Sequence, residues 1–182
     1  MPVPTPVPHP VLVVLCGLPG AGKSYCASWL AQRAPLYVVE SDHLRRLLFR
    51  EPTHSPEESA RLFRACHSLV EALLREGTAV IFDATNLLEA HRAYLYQIAE
   101  RVGAGLVLVY LTASAEVVFR RLQARLLERG QNSSADWEVY QRMRSSVEPI
   151  RRRHLSINTD GDVEPDLTRV LEELRRHIRG QA

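Results

Sequence analysis

The sequence contains one lysine. Of its 23 basic side chains only Lys23 carries an ammonium, and the rest are arginines. Cysteine is scarce too: Cys16, Cys26 and Cys66 form an odd set with no C-x-x-C spacing. That excludes a disulfide scaffold and points to buried, reduced thiols in a cytoplasmic protein. The seven histidines are scattered without metal-ligand spacing. No apolar run approaches the roughly 18 residues of a membrane-spanning helix, and the N-terminus lacks the charged and apolar regions of a signal peptide. No membrane partner is therefore expected. Nor does one sign of charge dominate, because a net charge of +2 gives no strong field for a polyanion. What is present suits one folded domain: 182 residues, 46% hydrophobic and 24% charged. Five prolines fall in the first ten residues. They predict a disordered or extended tail over residues 1–10, ahead of a domain over 11–182.

The stretch Gly17-Leu18-Pro19-Gly20-Ala21-Gly22-Lys23-Ser24 fills every fixed position of the phosphate-binding loop G-x-x-x-x-G-K-[ST]. Its flanks agree. Val11 to Cys16 is a short apolar, β-branched run that reads as a buried strand. No glycine or proline follows Ser24 up to Ala34, so a helix can start inside the loop. Glycines let backbone N–H groups approach phosphate oxygens closely, and the helix N-terminus adds its dipole. The lone lysine sits where a compact point charge suits the cradle better than a planar guanidinium. Lys23 is expected to reach the β- and γ-phosphates of ATP, and Ser24 to offer its hydroxyl to Mg²⁺. Residues 17–24, with Tyr25 next on the helix, form the expected nucleotide-binding set.

Along the chain, strands and helices alternate. Apolar runs at 36–39, 78–82 and 106–111 read as further strands, and 154–158 as a weaker last one. Between them lie helical patterns at about 23–33, 42–49, 56–76, 87–102, 114–129 and 135–147, with an amphipathic one through Leu167, Val170, Leu171, Leu174 and Ile178. Ser55-Pro56-Glu57-Glu58 reads as a capping box with proline at the first helical position. The helix after it is expected to bury Leu62, Cys66, Leu69, Val70 and Leu73, and the next to bury Ala90, Tyr94, Leu95 and Ile98. Uninterrupted apolar strands suit a parallel sheet covered on both faces. The expectation is a three-layer α/β/α fold with five mostly parallel strands and an arginine-bearing helical lid.

A phosphate loop alone says only that a nucleoside triphosphate binds. Asp42, just past the second strand, is placed to take a proton from an acceptor hydroxyl, or else to serve the helix dipole. Arg45 lies one turn on and shares its face, where it suits an anionic substrate group. Asp83 closes an apolar strand as a metal-supporting acid does, with Asn86 and Arg92 as candidate substrate contacts. Asn86 is as readily a helix cap. Arg121 and Arg125 are four apart on one helix face, with Arg129 following. Guanidinium donors there suit the charge on a transferring phosphoryl group, and Arg125 is the catalytic choice. Asp160, after the last strand, is a candidate contact to the nucleotide base. Arg151-Arg152-Arg153 reads as a surface run, since no aromatics interleave with it.

Together these residues make the chain resemble the P-loop kinases of the polynucleotide kinase type and the small stand-alone ATP-binding proteins related to them. The likeness runs from about Val11 to the C-terminus. It rests on GLPGAGKS at 17–24, Asp42 with Arg45, Asp83-Ala84-Thr85-Asn86 followed by Arg92, and Arg121-x-x-x-Arg125. The resemblance implies Mg²⁺- and ATP-dependent phosphoryl transfer to a hydroxyl. Asp42 would be the general base, Arg45 an acceptor contact, and the lid arginines would lie over the nucleobase and toward the transferred phosphate. The chain has no room for the phosphatase or ligase domain often fused to such kinases. Residues 43–76 carry no strong basic and aromatic pattern. A polynucleotide 5′-hydroxyl is the leading acceptor, ahead of a sugar, antibiotic or nucleotide-sugar, and of a regulatory ATPase with no acceptor.

Overall fold

The first strand, β1 (Val11–Cys16), is buried along its whole length. Its alternate residues feed two different cores. Val11, Val13 and Leu15 join one cluster, and Leu12, Val14 and Cys16 join another. A strand sends successive side chains to opposite faces, so a run with no polar residue must be covered on both sides. The cover is supplied in the computed structural model of the chain, which describes residues 6–128 and 135–181. Helices α1 (Lys23–Ala31) and α7 (Glu164–Ile178) lie on one face, and α3 (Pro56–Arg75) and α4 (Glu89–Val102) on the other.

The sheet has five strands in the order β2-β3-β1-β4-β5, with β2 at Leu36–Glu40, β3 at Ala79–Asp83, β4 at Gly105–Thr112 and β5 at Leu155–Asn158. Every pairing is parallel. The chain steps from β1 out to β2, back to β3 beside β1, then across to β4. Such a reversal leaves a crevice beyond the carboxyl ends of the strands, where ligands bind in open α/β sheets. Register places the ends together: Asp83 is opposite Leu15 of β1 and Glu40 of β2.

Three more helices lie on the crevice side: α2 (Ser41–Leu48), α5 (Ala115–Glu128) and α6 (Ala135–Arg144). Val118 and Leu122 of α5 and Tyr140 of α6 form a small core with Leu18 of the phosphate loop. Phe119 meets the Trp137 ring edge-on at 5.1 Å, and Trp137 stacks on Tyr140 at 4.8 Å. The lid thus has its own apolar contents and rests on the loop.

Most expected faces are observed. Ser55 caps α3 by accepting from the Glu58 N–H at 3.2 Å, and Leu62, Cys66, Val70 and Leu73 are buried. The face of α4 differs. Arg92, Leu95, Tyr96, Ile98 and Ala99 point inward, while Tyr94 is 60% exposed. Burying Arg92 fixes the helix rotation, and Tyr94 lies outside, stacked on His67 at 5.3 Å. The proline tail is held over its second half: the Val7 N–H donates to Gly77 O, and Pro10 O accepts from Gly105. Residues 1–5 of that tail, the loop at 130–134 and Arg129 lie outside the described residues. The cysteine thiols are all buried, and burial pushes Cys16 and Cys26 up to about 12 and Cys66 to about 11. No described helix is long and apolar enough to cross a membrane.

Candidate functional site

The loop between β1 and α1 is built by its glycines. Gly17 passes so close to β4 that a Cβ there would lie 2.5 Å from Leu111 O, and Gly20 has φ +79 with a Cβ position 2.8 Å from Val118 Cγ1. The N–H of Gly17 is fixed by Thr85 O at 3.0 Å, which ties the loop entrance to the segment after β3. Helix α1 begins with no side-chain cap and no acid in its first turn. Its leading N–H groups and positive dipole end therefore face the loop's concavity, an arrangement made for an anion. Lys23 Nζ donates to Gly17 O and Leu18 O, each at 3.0 Å, which leaves one of its three N–H groups.

Two carboxylates face this ammonium. Burial lowers the Lys23 pKa, and the nearby charges of Asp83 and Asp42 work against that shift. Asp83 is 4% exposed at the end of β3. Burial raises its pKa, the Ser24 hydroxyl and Lys23 draw it back down, and Asp42 pushes it up again. Asp42 stands exposed in the first turn of α2. Arg125, exposed on α5, acts electrostatically on both Lys23 and Asp83. Lys23, Ser24, Asp42, Asp83 and Arg125 thus converge at the carboxyl ends of β1, β2 and β3. Ser24 and Asp83 are hydrogen-bonded hard oxygen donors beside the phosphate loop, a donor set that suits Mg²⁺ held by a hydroxyl and, through water, by a carboxylate.

Arg121 performs a different task. It donates to Gly20 O at 3.1 Å and to Thr159 at its hydroxyl (2.8 Å) and carbonyl (2.6 Å). Thr159, 5% exposed, also donates to Ala21 O at 3.3 Å. Arg121 and Thr159 therefore bracket the phosphate loop from the lid and from β5. As placed, the Arg121 guanidinium is spent on main chain and does not lie open for a base.

With this geometry, similarity to known proteins becomes informative. Residues 12–150, more than half of the chain, match the AAA domain family. The chain belongs to that family. The chain is 28% identical over 167 residues to the adenylyl-sulfate kinase of Myxococcus xanthus (strain DK1622), covering 89% of each chain. It is 25% identical over 157 residues to the probable adenylyl-sulfate kinase of Aeropyrum pernix, covering 84% of this chain and 85% of that one. The structure of the Mycobacterium tuberculosis APS kinase CysC in complex with AMPPNP and APS matches with a TM-score of 0.70 at 20% identity, covering 92% of this chain and 99% of that one. The AAA domain has the fold of the P-loop kinases.

Other expected contacts lie elsewhere. Arg45 is neither solvated nor free for a substrate: it is 8% exposed, paired with Glu58, and donates to Ser59 Oγ at 3.3 Å. Glu58 also accepts from the N–H (2.6 Å) and hydroxyl (2.8 Å) of Thr53 and from the His54 N–H (3.3 Å). Burial would push its carboxyl up, but those donors and Arg45 outweigh it and hold it at about 2. Asn86 is fully buried and donates to Leu15 O at 2.7 Å. It does not cap α4, whose N-cap is Leu88. Arg92 is 1% exposed, with its donors turned to protein carbonyls. Arg92 does not reach a substrate as placed, because its donors are met internally; Asn86 is enclosed with its Nδ2 on Leu15 O, while its Oδ1 has no partner. Asp160 accepts from the Ser114 N–H at 2.8 Å and so fixes the start of α5. Tyr25 is 61% exposed on α1. The residues that sequence reasoning missed are Thr159 and Glu58. Thr159 sat beside Asp160, which alone was read as a contact, and Glu58 was read only as part of the capping box.

Proposed function

We propose that this P-loop kinase transfers the γ-phosphoryl group of ATP to a hydroxyl of a small molecule. The observation that carries the reading is the convergence of Lys23, Asp42, Asp83 and Arg125 at one end of the sheet. The N–H groups of Gly20, Gly22, Lys23 and Ser24 and the Lys23 ammonium hold the phosphate chain. Asp42 orients the acceptor hydroxyl and takes its proton as that oxygen bonds to the γ-phosphorus and ADP departs. Arg125 meets the charge spread over the phosphoryl oxygens. Ser24 and Asp83 would hold Mg²⁺, which supplies neutralisation of phosphate charge when bound. Positioning and electrostatics do most of the work in such a reaction.

For the acceptor, relatives named for adenylyl-sulfate support a small molecule over the polynucleotide 5′-hydroxyl that the sequence placed first. Local chemistry agrees. Arg45 is neutralised by Glu58, and in the arginine run Arg152 pairs with Glu100 and Arg153 with Glu173. A single-strand groove needs cations and aromatic platforms left open. The test is transfer of labelled phosphate from ATP to a panel of hydroxyl-bearing metabolites, adenosine 5′-phosphosulfate among them, beside 5′-hydroxyl oligonucleotides. Transfer to a small alcohol is expected. Transfer confined to oligonucleotides, with steep loss in salt, would restore the nucleic-acid reading. ATP turnover indifferent to every alcohol would make the protein a regulatory ATPase.

A further inference from the structure

Arg92 is the largest of the fully buried side chains, at 1% exposure. Placing a guanidinium there is costly unless each donor is met. All of its nitrogens are met. Nε donates to the Glu89 carboxylate at 3.0 Å, Nη1 to Asn86 O (2.9 Å) and Leu87 O (2.7 Å), and Nη2 to Glu148 O (3.1 Å) and Pro149 O (2.9 Å). Two of these carbonyls belong to the loop behind Asp83. The other two belong to the segment by which the chain returns from α6 toward β5.

The same junction is sewn twice more. The Glu148 N–H donates to Leu87 O at 3.1 Å, and the Glu148 carboxylate accepts from the Glu89 N–H. On its far side the loop is tied to the nucleotide nest, through Asn86 to Leu15 O and through Thr85 O to the Gly17 N–H. A continuous set of hydrogen bonds therefore runs from the entrance of the phosphate loop, through Arg92, to the root of α6. Helix α6 in turn packs on α5, which carries Arg121 and Arg125. Only a planar fork with five donors can hold four carbonyls and a carboxylate at once; an ammonium cannot.

We propose that Arg92 is a positioning residue: it pins the lid's return segment at Glu148 and Pro149 to the loop behind Asp83, and so sets where Arg125 stands over the transferred phosphate. The part concerning Arg125 rests on the kinase reading. The pinning itself does not, and the two are separable by experiment. The sequence has two tryptophans, Trp29 and Trp137, so Trp29→Phe leaves the lid indole as sole reporter.

In that background Arg92→Lys and Arg92→Gln are compared with the unsubstituted chain by acrylamide quenching of Trp137, with and without AMPPNP, and by kcat and KM for ATP with adenosine 5′-phosphosulfate as probe acceptor. Both variants are expected to bind AMPPNP within about threefold of the unsubstituted chain. Trp137 should quench more readily, and kcat should fall about tenfold to a hundredfold, as a displaced catalytic group does. A role in stability alone lowers Tm and leaves kcat per folded molecule and Trp137 quenching unchanged; that result overturns the proposal. Should the Arg92 variants not fold, the double substitution Glu89→Ala with Glu148→Ala removes the carboxylate that meets Arg92 Nε and the acceptor of the residue-89 N–H, and unchanged quenching there overturns the proposal equally. If the unsubstituted chain transfers nothing to any acceptor, the kinase reading fails, while the quenching comparison still decides the pinning.

Discussion

Arg121 grips Thr159 at both its hydroxyl and its carbonyl, at 2.8 and 2.6 Å, and reaches Gly20 O with the same guanidinium. The last strand, the lid helix and the phosphate loop meet at this contact, so the loop's shape depends on two residues far from it in sequence. Arg121→Met is expected to weaken ATP binding about tenfold to a hundredfold, since charge-assisted bonds contribute about 1.5–3 kcal/mol each. Calorimetric titration with AMPPNP checks it. Thr159→Val should show the same direction with a smaller effect, and wild-type affinity in both would mean that the bracket is ornamental.

Asp42 is exposed and stands beside Lys23 and Asp83 without being enclosed by them. Asp42→Asn should therefore keep nucleotide affinity and fold, and lower phosphoryl transfer about 10²–10⁴-fold, the usual contribution of a positioned base. Full transfer by this variant to the true acceptor would reduce Asp42 to a helix-dipole residue.

Lys23→Ala should impair both binding and turnover, because it removes the ammonium that faces the phosphates and also frees Gly17 O and Leu18 O. Equal losses in kcat/KM and in AMPPNP affinity would mark purely ground-state binding; a further fall in kcat marks a transition-state contact.

Gly20 combines a left-handed φ of +79 with a Cβ position 2.8 Å from Val118 Cγ1. Gly20→Ala is expected to cost about 1–2 kcal/mol from the backbone alone and to push α5 off the loop. Val118→Ala in the same chain should recover part of the lost ATP affinity. No recovery would place the defect in the backbone and not at the lid contact.

Acid should unfold the protein in two stages. His67, desolvated and beside His91, is lowered from 6.5 to about 4. Between those values the unfolded chain binds the extra proton, so stability is whole above pH 6.5 and declines as pH falls toward 4. Glu58 is held at about 2 instead of 4.5. Its contribution is whole above pH 4.5 and is lost as pH falls toward 2. Melting temperatures across pH 7 to 3 should show both limbs. His67→Gln should shrink the upper one and Glu58→Gln the lower one without abolishing either, since burial also lowers His91 and His177, and Arg101 and Arg75 hold Glu71 at about 2.

Much of the site was legible because its signals are local. Residues 17–24 declare a phosphate loop whatever surrounds them, since glycine permissiveness and a helix N-terminus are properties of a few adjacent residues. Asp42 and Asp83 were legible by position, because a strand's carboxyl end is where such sheets bind ligands. The two apolar faces of β1 followed from an unbroken apolar run. Arg45, Asn86 and Arg92 were legible only as polar residues near the right place. Whether a guanidinium points outward or inward depends on acceptors brought from elsewhere: Glu58 for Arg45, and Glu148 and Pro149 for Arg92. Periodicity likewise offered Tyr94, and the burial of Arg92 turned Tyr96 inward in its place.

The sequence by itself determined the strand–loop–helix that grips an anion, the alternation of strands and helices, and the acids at strand ends. Each of these arises from residues within a turn or a pleat of one another. Tertiary structure alone decided which arginines stay open at the crevice and which bind the protein together. A cation's role is set by the nearest unpaired oxygen, and in this fold those oxygens arrive from as far as 142 residues along the chain.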